Sequence, residues 1–258
     1  MKKSWAMLAV LPLAIACTEA NGDGADGENT ESEATETAEA DAEPLVLDSE
    51  LPDGGMLVQA TGGDDAAFDP DCVIGEDRIA GVRIPATLGA FAESFPASTA
   101  LRFESAYMVD FGALCALSGG EDAICAFFES YDVEEYSPDV EVIGMATYAQ
   151  QCRTEAGVGP GTSIETAVAA YGDASFGFNY SNEGREGVSF PNAPQNFSFR
   201  ADSPASETPP AEGNWPNGPF GGDYSDVEGD GEYFETATAM PGATIWEVWI
   251  NSARSTGM

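Results

Sequence analysis

Two stretches of this chain, AGVRIPATLGAFAESFP from Ala80 and AGVGPGTSIETAVAAYG from Ala156, align without a gap at an offset of 76 residues. Leu88 meets Ile164, Ala92 meets Val168 and Phe95 meets Tyr171, and these pairs fall at i, i+4 and i+7, the spacing of one helix face. Thr162 and Glu165 have the spacing of a capping box, and Gly172 stands where a C-terminal helix cap belongs. The segment ends correspond as well, since VIGMATYAQQCRTEAG resembles TIWEVWINSARSTG, with Arg153 where Arg254 stands. A copied unit accounts for both the spacing and the matching ends, so the chain reads as two tandem repeats.

Within each repeat the pattern changes period after the helix. Phe176, Phe178 and Tyr180 alternate, followed by a turn at Ser181–Gly184, then Val188 and Phe190, then Phe197 and Phe199. In the first repeat, Leu101 to Tyr107, Phe111 to Leu117, Ile124 to Phe128 and Val140 to Tyr148 read as strands, and Gly55 to Ala60 as a further one. The expected fold class is α+β, two tandem repeats, each with a short N-terminal helix packed on antiparallel β-strands. The repeats span 45–152 and 153–258, and the second carries a long Pro, Gly and Asp-rich loop at 201–232.

Charge narrows the partners. The chain has 45 acidic residues, nine basic ones and no histidine. Thr18 to Pro44 holds ten of the acids, no basic residue and no apolar side chain larger than alanine, a composition that cannot bury enough surface to offset chain entropy. It is expected to be a disordered tether. The remainder carries 35 acids against seven arginines, so nucleic acid and anionic lipid are poor partners for such a surface, and no nucleic-acid partner is expected. Four cysteines outside the N-terminal segment favour two disulfides in an exported protein. Of the three pairings, Cys115–Cys125 closes a short loop around Gly119–Gly120, and Cys72–Cys152 ties the start of the first repeat to its end.

The N-terminus resembles the signal peptide of bacterial lipoproteins. Lys2 and Lys3 precede twelve residues from Trp5 to Ala16, too few to span a bilayer, and the run stops at Ala14-Ile15-Ala16-Cys17. The resemblance implies removal of residues 1–16, lipid on Cys17 as the membrane attachment, and, from Thr18 after it, an outer-membrane location. A second resemblance lies in Gly157, Gly159, Thr162, Ile164, Val168, Tyr171 and Gly172, which are similar to the repeat of the SmpA/OmlA (BamE) lipoprotein family, present in two copies in the β-lactamase inhibitor protein. It implies a non-enzymatic protein that binds another envelope protein through a sheet face and its loops.

Other motifs carry less. Gly157-Val158-Gly159-Pro160-Gly161-Thr162 lacks the lysine of a phosphate loop and reads as a structural turn. Asp226, Glu228 and Asp230 place oxygens at positions one, three and five of a calcium-loop pattern, but Ala237 stands where the bidentate glutamate belongs. No cofactor is expected, with calcium the alternative. Without histidine the commonest general base is missing, and an enzyme is not expected. Trp215, Phe220 and Tyr224 in the 201–232 loop are the expected partner anchors. The alternative function is binding of a small ligand, carbohydrate or calcium through that loop.

Overall fold

The computed structural model describes residues 46–50, 55–63, 65–108, 110–179, 184–205, 220–227 and 233–251. Cys17, the acidic segment, Trp215, Glu228 and Asp230 lie outside the described residues. From Ala42 onward the chain is one compact unit.

The α+β expectation is overturned, because strand makes up 44% of the protein and helix 8%. The elements in order are β1 (Val46–Glu50), β2 (Met56–Gln59), β3 (Val73–Ile74), β4 (Arg78–Ile79), β5 (Val82–Arg83), α1 (Leu88–Glu93), β6 (Ala100–Met108), β7 (Phe111–Ser118), β8 (Glu121–Glu129), β9 (Gly144–Thr147) and β10 (Arg153–Thr154). There follow α2 (Ile164–Tyr171), β11 (Ser175–Asn179), β12 (Gly187–Ser189), β13 (Phe197–Asp202), β14 (Tyr233–Thr236) and β15 (Thr244–Asn251). Helix periodicity located both helices, but at six and eight residues they are too short to form a layer.

The strands form an eleven-stranded sheet in the order β1-β2-β6-β7-β8-β9-β15-β13-β12-β11-β14, and a four-stranded one in the order β10-β3-β4-β5. The two segments of the chain therefore do not build separate sheets. Their last long strands meet, β9 pairing β15 antiparallel from Val248↔Thr147 to Asn251↔Gly144. That pairing covers two edges that would otherwise expose unpaired backbone groups. β9 is buried along its whole length, so its sequence shows none of the alternation that marks a half-exposed strand.

One face of the large sheet packs under the helices. Leu101, Phe103, Leu114, Phe128, Phe176 and Phe199 share a single core with Leu88 and Phe91 of α1 and Ile164 and Tyr171 of α2. Thr87 caps α1, its hydroxyl accepting from Ala90 N at 3.3 Å. The expected Thr162–Glu165 capping box is not what starts α2. Ser163 is its N-cap, accepting from Thr166 N, while the Thr162 hydroxyl accepts from Gly159 N at 3.0 Å and closes the preceding turn. Gly172 does end the helix, with φ at +89°.

Both disulfides are present, Cys72–Cys152 and Cys115–Cys125. The first sits at the head of the parallel pair β3 and β10, where Arg153 N also donates to the Cys72 carbonyl at 3.0 Å. Beside it, a Cβ at Gly159 would overlap the Cys152 carbonyl oxygen. Gly159→Ala is therefore expected to destabilise the protein by about 2–3 kcal/mol, read as a lower urea midpoint, since packed backbone has little room to yield.

Candidate functional site

Among the described residues the opposite face of the large sheet has no helix on it, and it carries a second, smaller cluster: Ala113, Cys115, Cys125, Phe127 and Ala146, with Tyr107, Tyr148 and Trp249 against them. A bulge shapes its centre. Arg200 pairs with Glu247 but Ala201 pairs with Ile245, so Trp246 is an extra residue on β15. Ile245, Val248 and Ile250 stay in the main core, whereas Trp246, Glu247 and Trp249 all contribute to the helix-free face.

Aromatic rings line this face in two groups. Trp249 stacks on Phe127 with centroids 4.0 Å apart, and Tyr107 meets Phe127 edge-on at 5.6 Å. Tyr148 stacks on Trp246 at 5.4 Å, and the Arg200 guanidinium lies 4.9 Å from the Trp246 ring. A polar network threads between them. The Tyr148 hydroxyl donates to Glu247 Oε1 at 3.0 Å, and Tyr107 donates to Asp122 Oδ2 at 3.1 Å. Arg102 is ion-paired with Asp122, and Arg200 Nη1 stands 3.6 Å from Glu247 Oε2. The network leaves polar atoms over: Asp122 Oδ1, Arg200 Nε, Trp246 Nε1, Glu247 Oε2 and Trp249 Nε1 are buried without a hydrogen-bond partner in the protein.

The face is concave. Arg185, just before β12, donates from Nη1 to Met108 Sδ at the end of β6, 3.4 Å away. Those strands are six places apart in the sheet order, about 29 Å if the sheet were flat at the usual strand spacing. The side chains cannot bridge that distance unless the sheet curls around the aromatic cluster.

Titration follows from burial. Desolvation raises the Glu247 carboxyl above its ordinary value, opposed by the Arg200 charge and the Tyr148 hydrogen bond. Desolvation likewise pushes Tyr107 up to about 12 and Tyr148 well above the usual phenol range. A second buried carboxylate, Glu186, is raised by desolvation in spite of three donors. An acid whose folded pKa is raised binds its proton earlier in the folded than in the unfolded state, so stability rises as pH falls through the raised values toward the ordinary carboxylate range. Thermal midpoints are accordingly expected to be higher near pH 5 than at pH 7. Glu247→Gln flattens that slope, which melting curves across the interval read directly.

The residues expected from sequence are placed differently. Phe220 and Tyr224 are only 5% and 7% exposed. They correct the expectation of partner anchors, because Tyr224 turns inward, stacking edge-on with Phe178 and donating to Glu186 Oε1 at 2.8 Å. Asp226 is exposed, and Glu228 and Asp230 lie outside the described residues. Among the described residues the one grouping with metal-ligand spacing is Cys115, Asp122 and Cys125, whose cysteines are spent in a disulfide. The concave cluster went unread in the sequence, although TIWEVWIN held a signal: Trp246 and Trp249 are three apart, a spacing that a regular strand puts on opposite faces.

No known protein family, curated protein or solved structure matches the chain. The site itself is the ground for a functional reading.

Proposed function

We propose that this chain is a non-catalytic binding protein of the cell envelope, held to the outer membrane by lipid on Cys17, which recognises an envelope component with the concave, helix-free face of its sheet. The observation that carries this reading is the convergence of Tyr107, Tyr148, Trp246 and Trp249 with Arg102 and Arg200 on one face. Tryptophan, tyrosine and arginine are the residues that concentrate binding energy at recognition surfaces. An enzymatic role has less support, since the chain has no histidine and both carboxylates on the face are ion-paired.

The test is capture from envelope extracts under mild crosslinking. The double variant Trp246→Ala/Arg200→Ala is expected to lose at least about tenfold of captured material, the equivalent of one hot spot, while keeping its circular dichroism spectrum. Undiminished capture by a folded double variant refutes the assignment. The anchor is tested separately: Cys17→Ser is expected to move the protein from the membrane to the soluble fraction.

A further inference from the structure

At its β11–β14 end the large sheet carries an open cavity that shares no residue with the Trp246–Glu247 cluster. Phe176, Phe178, Val188 and Phe199 turn into the main core, so strand alternation puts their neighbours on the other side. Those neighbours are small. Gly187, Gly177 and Glu235 are register partners in one row across β12, β11 and β14, and Ser189 pairs with Ser175 in the next. At these four positions of β11 and β12 no side chain is longer than serine, which leaves the sheet as a bare floor. The floor has two rims, Pro191, Ala193 and Pro194 of the turn between β12 and β13, and Tyr233 and Glu235 of β14. The cavity they line measures about 460 Å³, within the range of small-ligand sites.

The β14 rim sets the chemistry. Tyr233 leans back over Gly177, where an added Cβ would meet its hydroxyl at 2.8 Å, yet the residue is 47% exposed. The Glu235 carboxylate is held beside it, since Ser175 Oγ donates to Oε1 at 2.5 Å and the Tyr233 hydroxyl donates to Oε2 at 3.4 Å. A carboxylate has about four accepting positions, so it can take further donors from a ligand. Glu235 is exposed, and it is the one charged residue lining the cavity, with no arginine there to balance it. An anion is repelled by that carboxylate and by a chain of net charge −36. A neutral ligand leaves the carboxylate without a counter-charge. A cation pairs with it and is also attracted by the tyrosine ring. Phe190, Phe197 and Pro194 add apolar lining that suits an aliphatic stem behind the charged head.

We infer that the cavity between β14 and the β12–β13 turn binds an alkylammonium or alkylguanidinium group, its head against Glu235 and Tyr233 and its stem toward Pro194. A free polyamine and a basic side chain of a partner protein share this chemistry. The site goes beyond recognition by the Trp246 face and stands or falls apart from it.

The full chain in non-ionic detergent, at about 0.15 M salt to screen scattered surface charge, is titrated with spermidine and separately with acetyl-Gly-Lys-Gly-amide, following backbone amide shifts and heat. Saturable shifts are expected at Gly177, Gly187 and Ser189. Glu235→Gln is expected to weaken binding about fivefold and Tyr233→Leu about threefold. Glu134→Gln removes the same charge from an exposed loop outside the cavity and is expected to change nothing, which separates the site from the general attraction of amines to an acidic chain. Thermal midpoints check folding, and Glu235→Gln decides alone should Tyr233→Leu unfold. Tighter binding of spermidine assigns a free polyamine, and tighter binding of the tripeptide assigns a partner's side chain. The inference is overturned if neither probe shifts these amides, if the shifts spread instead over acidic loops such as 131–135, or if Glu235→Gln binds as well as the parent. None of these results bears on capture by Trp246→Ala/Arg200→Ala, so the two readings fail separately.

Discussion

Paired alanine substitution of Cys72 and Cys152 is expected to lower the stability of this protein by about 4.5 kcal/mol, from the chain-entropy cost of reopening the loop between them. The bond spans a sequence separation of 80, against 10 for Cys115–Cys125. It also joins two strands of only two residues each, β3 and β10, whose own pairing is too short to persist without it. Cys115 and Cys125 are direct register partners in a long hairpin that is already paired from Phe111↔Glu129 to Ser118↔Glu121. Replacing that second pair is expected to cost less, about 2.7 kcal/mol on the same argument. Urea unfolding of the two double variants measures both values. A larger loss from the Cys115–Cys125 pair contradicts the assignment of Cys72–Cys152 as the main covalent tie.

Glu186→Ala is the second change with a large expected effect, about 3 kcal/mol, because it strands three donors at once. Glu186 is 1% exposed, and its carboxylate accepts from Gly221 N at 2.7 Å, Gly222 N at 2.9 Å and the Tyr224 hydroxyl at 2.8 Å. These bonds hold the 220–227 segment against β11, with Gly222 so close that a Cβ there would meet Glu186 Oε1 and Phe176 at 2.8 Å. Part of the loss is offset, since burial already disfavours the charged carboxylate. Beyond a lower melting temperature, the variant is expected to gain protease cleavage near Gly221–Gly222. A melting temperature within about 2 °C of the parent would mean that the clamp contributes less than 1 kcal/mol.

What was legible before the fold was known was local. The alternation at Phe176 and Phe178 located β11, the runs from Leu101 and Phe111 located β6 and β7, and the 3.6-residue spacing at Leu88 and Ile164 located both helices. Two such helices suggest a helical layer and hence an α+β class, but periodicity reports where a helix runs, not how much sheet surrounds it. Two of the three anchors expected in the polar loop, Phe220 and Tyr224, are buried for a related reason. Phe220 and Tyr224 looked exposed because their neighbours are Gly, Pro and Asp, yet Glu186, 38 residues before Tyr224, draws them inward.

Spacing along the chain is enough to place both helices and the strands β2, β6, β7, β8, β9, β11, β12 and β13, and an even count of four cysteines fits two disulfides, whereas the two-residue strands β3, β4, β5 and β10 are too short to leave a period. It takes long-range packing to join the strands of both segments in one curled sheet and to bring Asp122, Tyr148, Arg200, Trp246 and Glu247 together on its hollow side. Those residues come from four strands or strand ends and are brought together by the β9–β15 pairing and one bulge. Long-range register and a single inserted residue leave almost no trace in composition or period, because the same alternation fits several partners until packing selects one.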